Sequence, residues 1–182
     1  MKRYILTGAP GSGKTAVLRQ LELDGFGVVE EAATDLIALR QAEGMAEPWM
    51  QAGFVEDVAW LQRLRLERAS KSGDAVQFHD RSIFCTLALA KYLAVPCPAE
   101  LIREAERVRE ECVYERSVFF LQNLGFIEPT AARRITFEET VRFERIHEEV
   151  YREWGFEPVT VEAAPLEERV RTIGAFIELS AR

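Results

Sequence analysis

The chain is poor in cysteine and in positive charge, and each shortage argues against a class of function. Its 182 residues include three cysteines, Cys85, Cys97 and Cys112. They are odd in number, scattered and without a C-x-x-C pair, which argues against a disulfide framework or a zinc site. They fit free thiols in a reducing cytosol, so a cytoplasmic protein is expected. Lysine and arginine number 23 against 30 acidic residues, a net charge of −7. That balance argues against a general nucleic-acid or anionic-membrane surface, and no long basic tract suits a DNA-acting motor. Long hydrophobic runs are missing too. The apolar stretch after Met1-Lys2-Arg3 is too short for a signal peptide. Residues 83–95 carry Lys91 and stop at Pro96, too short to span a bilayer, and read as a core helix. With no linker, repeat or low-complexity tract, 1–182 is expected to form one domain with a proper core.

What is present is concentrated near the start. Gly8-Ala9-Pro10-Gly11-Ser12-Gly13-Lys14-Thr15 matches G-x-x-x-x-G-K-[ST]. The motif follows the apolar run Tyr4-Ile5-Leu6 and precedes the helical stretch 16–21, the strand–loop–helix context it requires. Glycines let such a loop wrap so that backbone N–H groups face phosphate oxygens. The loop ends at a helix N-terminus, where unpaired N–H groups and the helix dipole favour anions. Lys14 is then expected on the β- and γ-phosphates, and the Thr15 hydroxyl on Mg²⁺. Because the chain is acidic overall, the site has to gather its positive charge locally.

Strand and helix patterns alternate, which implies a parallel sheet with helices on both faces. Strands are expected at about 3–7, 27–30, 75–79, 117–121 and 158–161. Helices are expected from 14 to near Gly25, over 32–42, over 54–70, from Ser82 to before Pro96, and from Pro98 to about 111. Thr136-Phe137-Glu138-Glu139 fits a capping box, opening a helix that Gly155 closes. Pro165 is placed to start a last helix running to about 179.

Ligands in such sheets bind beyond the carboxyl ends of the strands, which selects the residues that follow. Asp80 ends the third strand and either holds Mg²⁺, accepts a proton, or caps the helix near Ser82. Arg81 either clamps a phosphate or makes a surface ion pair. His79 reads as a half-buried strand residue. Glu30 and Glu31 lie where a phosphate acceptor would sit; one of them orients the acceptor hydroxyl, with Glu31 favoured, or both simply cap the next helix. Arg133 and Arg134 form either a lid that closes over the nucleotide or a solvated turn. Arg142 and Arg145 read as solvent-facing partners of nearby glutamates. Trp60 reads as core, and Trp49 as a substrate contact.

The chain resembles the NadR-related ATPase/kinase family, sometimes labelled AAA-type, which includes nicotinamide riboside kinase domains. The resemblance runs over nearly the whole length. It is carried by 7–15, by Val28-Val29-Glu30-Glu31-Ala32-Ala33, by His79-Asp80-Arg81-Ser82, by 132–139 and by Leu166-Glu167-Glu168-Arg169-Val170. It implies a P-loop, nucleoside-kinase-like fold of five parallel strands with the phosphate-loop strand in the middle. It further implies Glu31 near the acceptor, Asp80 near Mg²⁺ and Arg133/Arg134 on a lid. At Thr34 the chain departs from the arginine the family often carries. Asp80-Arg81-Ser82 and Glu30-Glu31 are also similar to the Glu-Arg-Ser run and strand-end glutamate of deoxynucleoside kinases.

Two functions follow from these residues. One is a kinase moving the γ-phosphate of ATP, or GTP, from a Mg²⁺ complex to a small hydroxyl acceptor such as a nucleoside. The other is a nucleotide-dependent switch with slow hydrolysis. The chain has no guanine-reading Asn-Lys-x-Asp segment after the fourth strand, where it reads Gln122-Asn123-Leu124-Gly125. No nucleic-acid partner and no membrane span are expected. The oligomeric state is open, a homodimer included.

Overall fold

A computed structural model of the chain describes residues 1–124 and 137–180. Five strands, β1 (Lys2–Thr7), β2 (Gly27–Val29), β3 (Val76–Asp80), β4 (Ser117–Leu121) and β5 (Glu157–Val161), form one parallel sheet in the order β2-β3-β1-β4-β5. The strand feeding the phosphate loop is therefore central, as the family resemblance implied. Leu6 pairs with Asp80 on one side, and Thr7 with Phe120 on the other. The carboxyl ends of β1, β3 and β4 thus reach the same edge.

Seven helices complete the described chain: α1 (Lys14–Leu23), α2 (Ala32–Ala42), α3 (Phe54–Ala69), α4 (Ile83–Leu93), α5 (Ala99–Glu110), α6 (Phe137–Glu153) and α7 (Leu166–Leu179). Strand alternation separates two cores. Tyr4, Leu6, Phe78 and Phe119 face α1 and α7, where Val17, Leu21 and Ile173 meet them. Ile5 and Val118 face the other way, onto Phe84 of α4, Ala105 of α5 and Tyr151 of α6. Covered on both faces, β1 and β4 carry apolar side chains in both directions, the normal state of a parallel sheet. A smaller cluster of Ala32, Leu36, Phe54 and Val58 joins α2 to α3 beside the sheet.

Helix starts and stops follow local chemistry. Gly25 at φ 92° and Gly155 at φ 82° adopt the left-handed conformation that ends α1 and α6. Ser82 is the N-cap of α4, its Oγ accepting from the Phe84 amide at 3.3 Å, so Asp80 is not that helix's cap. Pro165 occupies the N-cap position of α7 rather than its first turn. The segment 83–95 does form a core helix, α4, with Ile83, Phe84 and Ala88 buried. No helix among the described residues is long and apolar enough to cross a membrane.

Two expectations fail for identifiable reasons. Trp60 is 66% exposed. The inward stripe of α3 runs through Val55, Val58 and Leu66, and a residue two positions past Val58 lies about 200° around the helix. His79 is fully buried rather than half-buried. Its ring meets Tyr114 edge-on at 5.1 Å, and burial pushes its pKa down to about 3. A strand covered on both faces has no half-exposed interior positions. The three cysteines are free, Cys85 buried and the other two exposed.

Candidate active site

The loop 8–15 leaves β1 and turns into α1 through three glycines with positive φ: Gly8 (136°), Gly11 (84°) and Gly13 (77°). Gly8 leaves no room for a side chain, because a Cβ there would lie 2.3 Å from the Leu121 carbonyl oxygen. The loop therefore rests directly on the end of β4. At Gly13 a Cβ would come within 2.9 Å of an Arg169 guanidinium nitrogen. Arg169, buried on α7, donates from Nη2 to the Ser12 carbonyl at 2.7 Å and so braces the loop from outside.

Lys14 is buried at the first position of α1. Its Nζ donates to the carbonyls of Gly8 (3.1 Å) and Ala9 (3.0 Å) and to Ser12 Oγ (3.4 Å). Burial, with the nearby Arg81 charge, pulls the Lys14 pKa down to about 8, although Asp80 and Glu31 oppose the fall. An ammonium poised to titrate there makes anion binding pH-dependent. Polyphosphate requires the charged form, so affinity is fully present well below pH 8 and falls as pH rises through it. Between pH 7 and pH 9 the loss should be about tenfold, since each pH unit above the pKa removes a factor of ten. Calorimetry in buffers of different ionisation enthalpy should also detect proton uptake on binding near pH 8.

Arg81 follows β3 in a left-handed conformation, φ 71°, with its amide bonded to the Leu6 carbonyl at 3.0 Å. A non-glycine residue held there carries strain on the order of 1 kcal/mol. That backbone turn sends its side chain into the site. Arg81 Nε lies 2.5 Å from Glu31 Oε1, with the two side chains 9% and 20% exposed. The pair is largely shielded from solvent, which argues against the surface ion pair as an account of Arg81. Burial alone would raise the Glu31 pKa, but the Arg81 and Lys14 charges outweigh it and hold the carboxyl below its ordinary range. Thr34 Oγ1 adds a hydrogen bond to Glu31 Oε2 at 2.7 Å.

The other side of Arg81 is held by α6. Its Nη1 lies 3.3 Å from His147 Nε2, and its guanidinium carbon sits 5.6 Å from the Phe143 ring centre. His147 Nδ1 is 2.8 Å from the Phe143 carbonyl. Nδ1 therefore carries the proton and Nε2 accepts from Arg81. Burial and the Arg81 charge keep this imidazole neutral, its pKa well below the ordinary value.

The two glutamates diverge. Glu31 faces a cavity of about 580 Å³ that reaches from Lys14 and Thr15 past Arg81 to Trp49. Glu30 turns outward to an ion pair with Arg19. Arg65 of α3 fixes this junction, donating from Nη1 to the carbonyls of Glu30 (2.8 Å) and Glu31 (2.7 Å). Asp80, 5% exposed, ends β3 beside this group, and the exposed Thr15 opens toward the cavity. A hydroxyl and a carboxylate are the hard oxygen donors that suit Mg²⁺. Trp49 lies in a short 3-10 turn (Pro48–Met50) at the cavity. Arg145 pairs with Glu149 as expected, whereas Arg142 sits over the Tyr92 ring, 5.5 Å from its centre. Arg133, Arg134 and Thr136 fall outside the described residues.

The structure thus brings Lys14, Thr15, Glu31 and Arg81 to one cavity at the carboxyl edge of the sheet, with Asp80 buried behind it, close enough to act on the Lys14 and Arg81 charges. His147, Arg169 and Arg65 belong to the same assembly; His147 and Arg65 lie in no motif, and Arg169 lies in the 166–170 segment of the family resemblance without a role assigned to it there. Comparison with known proteins bears on the family and the fold. A family model for an AAA domain matches residues 3–169. No curated protein matches the chain. Among solved structures, deoxyadenosine kinase from M. mycoides with bound dATP is similar at a TM-score of 0.63 and 13% identity, covering 98% of this chain and 100% of that one. At that identity the likeness is one of fold: a phosphate-loop, kinase-like architecture.

Proposed function

Since the chain belongs to the AAA domain family across residues 3–169, we propose that it is a small-molecule kinase. It transfers the γ-phosphoryl group of ATP, or of GTP in its place, to a hydroxyl acceptor held beside Glu31. The observation that carries this reading is the shielded Glu31–Arg81 pair, set in one cavity with the phosphate loop. A switch needs no acceptor-side carboxylate held in that way. The resemblance to nicotinamide riboside kinase domains and deoxynucleoside kinases supports the same class.

The residues take the following roles. Loop amides between 9 and 15, other than Pro10, which has no N–H, bind the polyphosphate together with the Lys14 ammonium, whose Nζ exchanges its bonds to the Gly8 and Ala9 carbonyls for phosphate oxygens. Thr15 and Asp80 would hold Mg²⁺, which neutralises phosphate charge when bound. Arg81 turns one edge of its guanidinium to Glu31 and offers its remaining N–H donors to the transferring phosphoryl group. Glu31 accepts a hydrogen bond from the acceptor hydroxyl and aligns its oxygen with the γ-phosphorus. A carboxylate of lowered pKa is a weak base, which suits a loose transition state in which the hydroxyl proton leaves late. The new bond joins acceptor oxygen to γ-phosphorus. The bond from γ-phosphorus to the bridging oxygen breaks, the proton passes to Glu31, and ADP departs. Arg133 and Arg134 complete the reading as a lid that excludes water.

The test is ADP formation by the full chain with Mg²⁺·ATP, with and without a panel of small hydroxyl compounds. Acceptor-stimulated turnover of at least tenfold is expected. Equal, slow ADP release with every compound would replace the kinase by a hydrolytic switch.

A further inference from the structure

Two basic side chains at the phosphate loop are withdrawn from solvent, Lys14 at 6% and Arg169 at 3% exposed. Lys14 has carboxylates to answer it, because the charges of Asp80 and Glu31 both act on its ammonium. Arg169 has none among the described residues. Burial is the one influence on its pKa and pulls it down, and its Nε has no hydrogen-bond partner there. In a chain of net charge −7, a sheltered guanidinium without a carboxylate beside it works against folding.

Its position gives the reason. Arg169 is the fourth residue of α7 and stands behind the loop. Nη2 donates to the Ser12 carbonyl at 2.7 Å, and Nη1 lies 2.9 Å from where a Gly13 Cβ would be. The Ser12 carbonyl and the Gly13 N–H belong to one planar trans peptide unit, so they point in opposite directions. With the guanidinium on the carbonyl, the N–H faces away from Arg169. Gly13 lines the cavity beside Lys14 and Thr15. Its amide, at the N-cap of α1, donates to no backbone carbonyl among the described residues. A charged donor at one end of a peptide unit polarises it and strengthens the donor at the other end.

We infer that Arg169 is the outer half of the anion site: it acts on the polyphosphate through the Ser12–Gly13 peptide, and the phosphates supply its counter-charge. It touches no phosphate, so it is a positioning residue and not a catalytic one. The inference rests on the phosphate-binding part of the kinase reading and on nothing about the acceptor. One peptide unit and two hydrogen bonds put the guanidinium about 8 Å from the phosphate. At that range, in a partly shielded site, a unit charge changes anion affinity by about tenfold or more.

The experiment titrates the full chain with Mg²⁺ and inorganic tripolyphosphate, which has no base to make other contacts, and measures the urea midpoint of ligand-free protein alongside. Arg169→Met keeps an unbranched side chain and removes the charge. It should bind tripolyphosphate about tenfold more weakly. Its ligand-free midpoint should equal the parental value or exceed it, because a buried charge without a partner has gone. Arg169→Lys restores one charged donor, enough for the single bond to Ser12, and should bind within about threefold of the parent. A mere brace behaves otherwise. The Met variant then loses stability together with affinity, or fails to fold, and the Lys variant falls as far as the Met variant. Either result overturns the inference, as does an Arg169→Met protein of parental affinity, and all of these leave the phosphate loop in place. A parent that binds neither tripolyphosphate nor Mg²⁺·ATP overturns both. Tripolyphosphate binding that depends on Arg169, in a protein whose ADP release no hydroxyl compound stimulates, upholds the inference and counts against the kinase.

Discussion

Lys14→Ala should weaken nucleoside triphosphate binding by about a hundredfold, the largest single effect expected at the phosphate loop. The ammonium is the one charged donor that the loop itself contributes, and a charge-assisted hydrogen bond is worth about 1.5–3 kcal/mol. More than charge is lost. Nζ ties together the carbonyls of Gly8 and Ala9 and the Ser12 hydroxyl, so its removal also loosens the curve that points the amides inward. The Lys14 charge helps keep Glu31 ionised, and the variant should raise the Glu31 pKa as well. Lys14→Arg should not rescue binding, because a planar fork cannot replace a compact ammonium among three converging acceptors. Calorimetry with Mg²⁺·ATP measures the loss. Affinity within a factor of three of the parent would remove Lys14 from the phosphate site.

The second large effect is expected at Arg81. Arg81→Ala leaves the largely shielded Glu31 carboxylate with only the Lys14 charge near it, which should destabilise the fold by about 1–3 kcal/mol. Acceptor-dependent turnover should vanish with it. Stability and chemistry separate in the double variant Glu31→Leu, Arg81→Met. Replacing a whole buried ion pair by apolar groups of similar size is often neutral or stabilising, so this protein should recover most of its urea midpoint and none of its transfer activity. Glu31→Gln makes a gentler probe. It keeps the shape, should reduce turnover by about a hundredfold or more, and should leave ATP affinity nearly unchanged. A Glu31→Gln protein with parental turnover would move the acceptor elsewhere in the cavity. Arg81→Ala with an unchanged urea midpoint would mean the pair contributes nothing to the fold.

The legible part of this molecule was local. The glycine spacing of 8–15 encodes a backbone path, and the strand β4 matches its apolar run residue for residue. Gly25 and Gly155 end helices because only the chain on either side matters to a left-handed turn. What stayed hidden depends on partners far along the chain. His147 meets Arg81 across 66 residues, and Arg169 meets Ser12 across 157. Nothing beside His147 in the sequence marks it, and the segment 166–170 that contains Arg169 gives no hint of its bond to the loop. Glu30 and Glu31 look alike in the sequence, and only the outward Arg19 and the inward Arg81 tell them apart. Trp60 misled because an aromatic residue suggests a core, whereas the side of the helix decides.

The strand order has a consequence for how the two halves of the site move. The phosphate loop grows from β1, which is zipped to a neighbour along both margins. Glu31 grows from β2, three residues long and paired along one margin only. Deuterium should therefore enter the β1 amides last and those of β2 early, because border strands open without disturbing the rest. The anion cradle is anchored to the stiffest part of the sheet, and the carboxylate hangs from the softest. Glu31 accordingly depends for its position on Arg65, Arg81 and Thr34 rather than on the strand that precedes it.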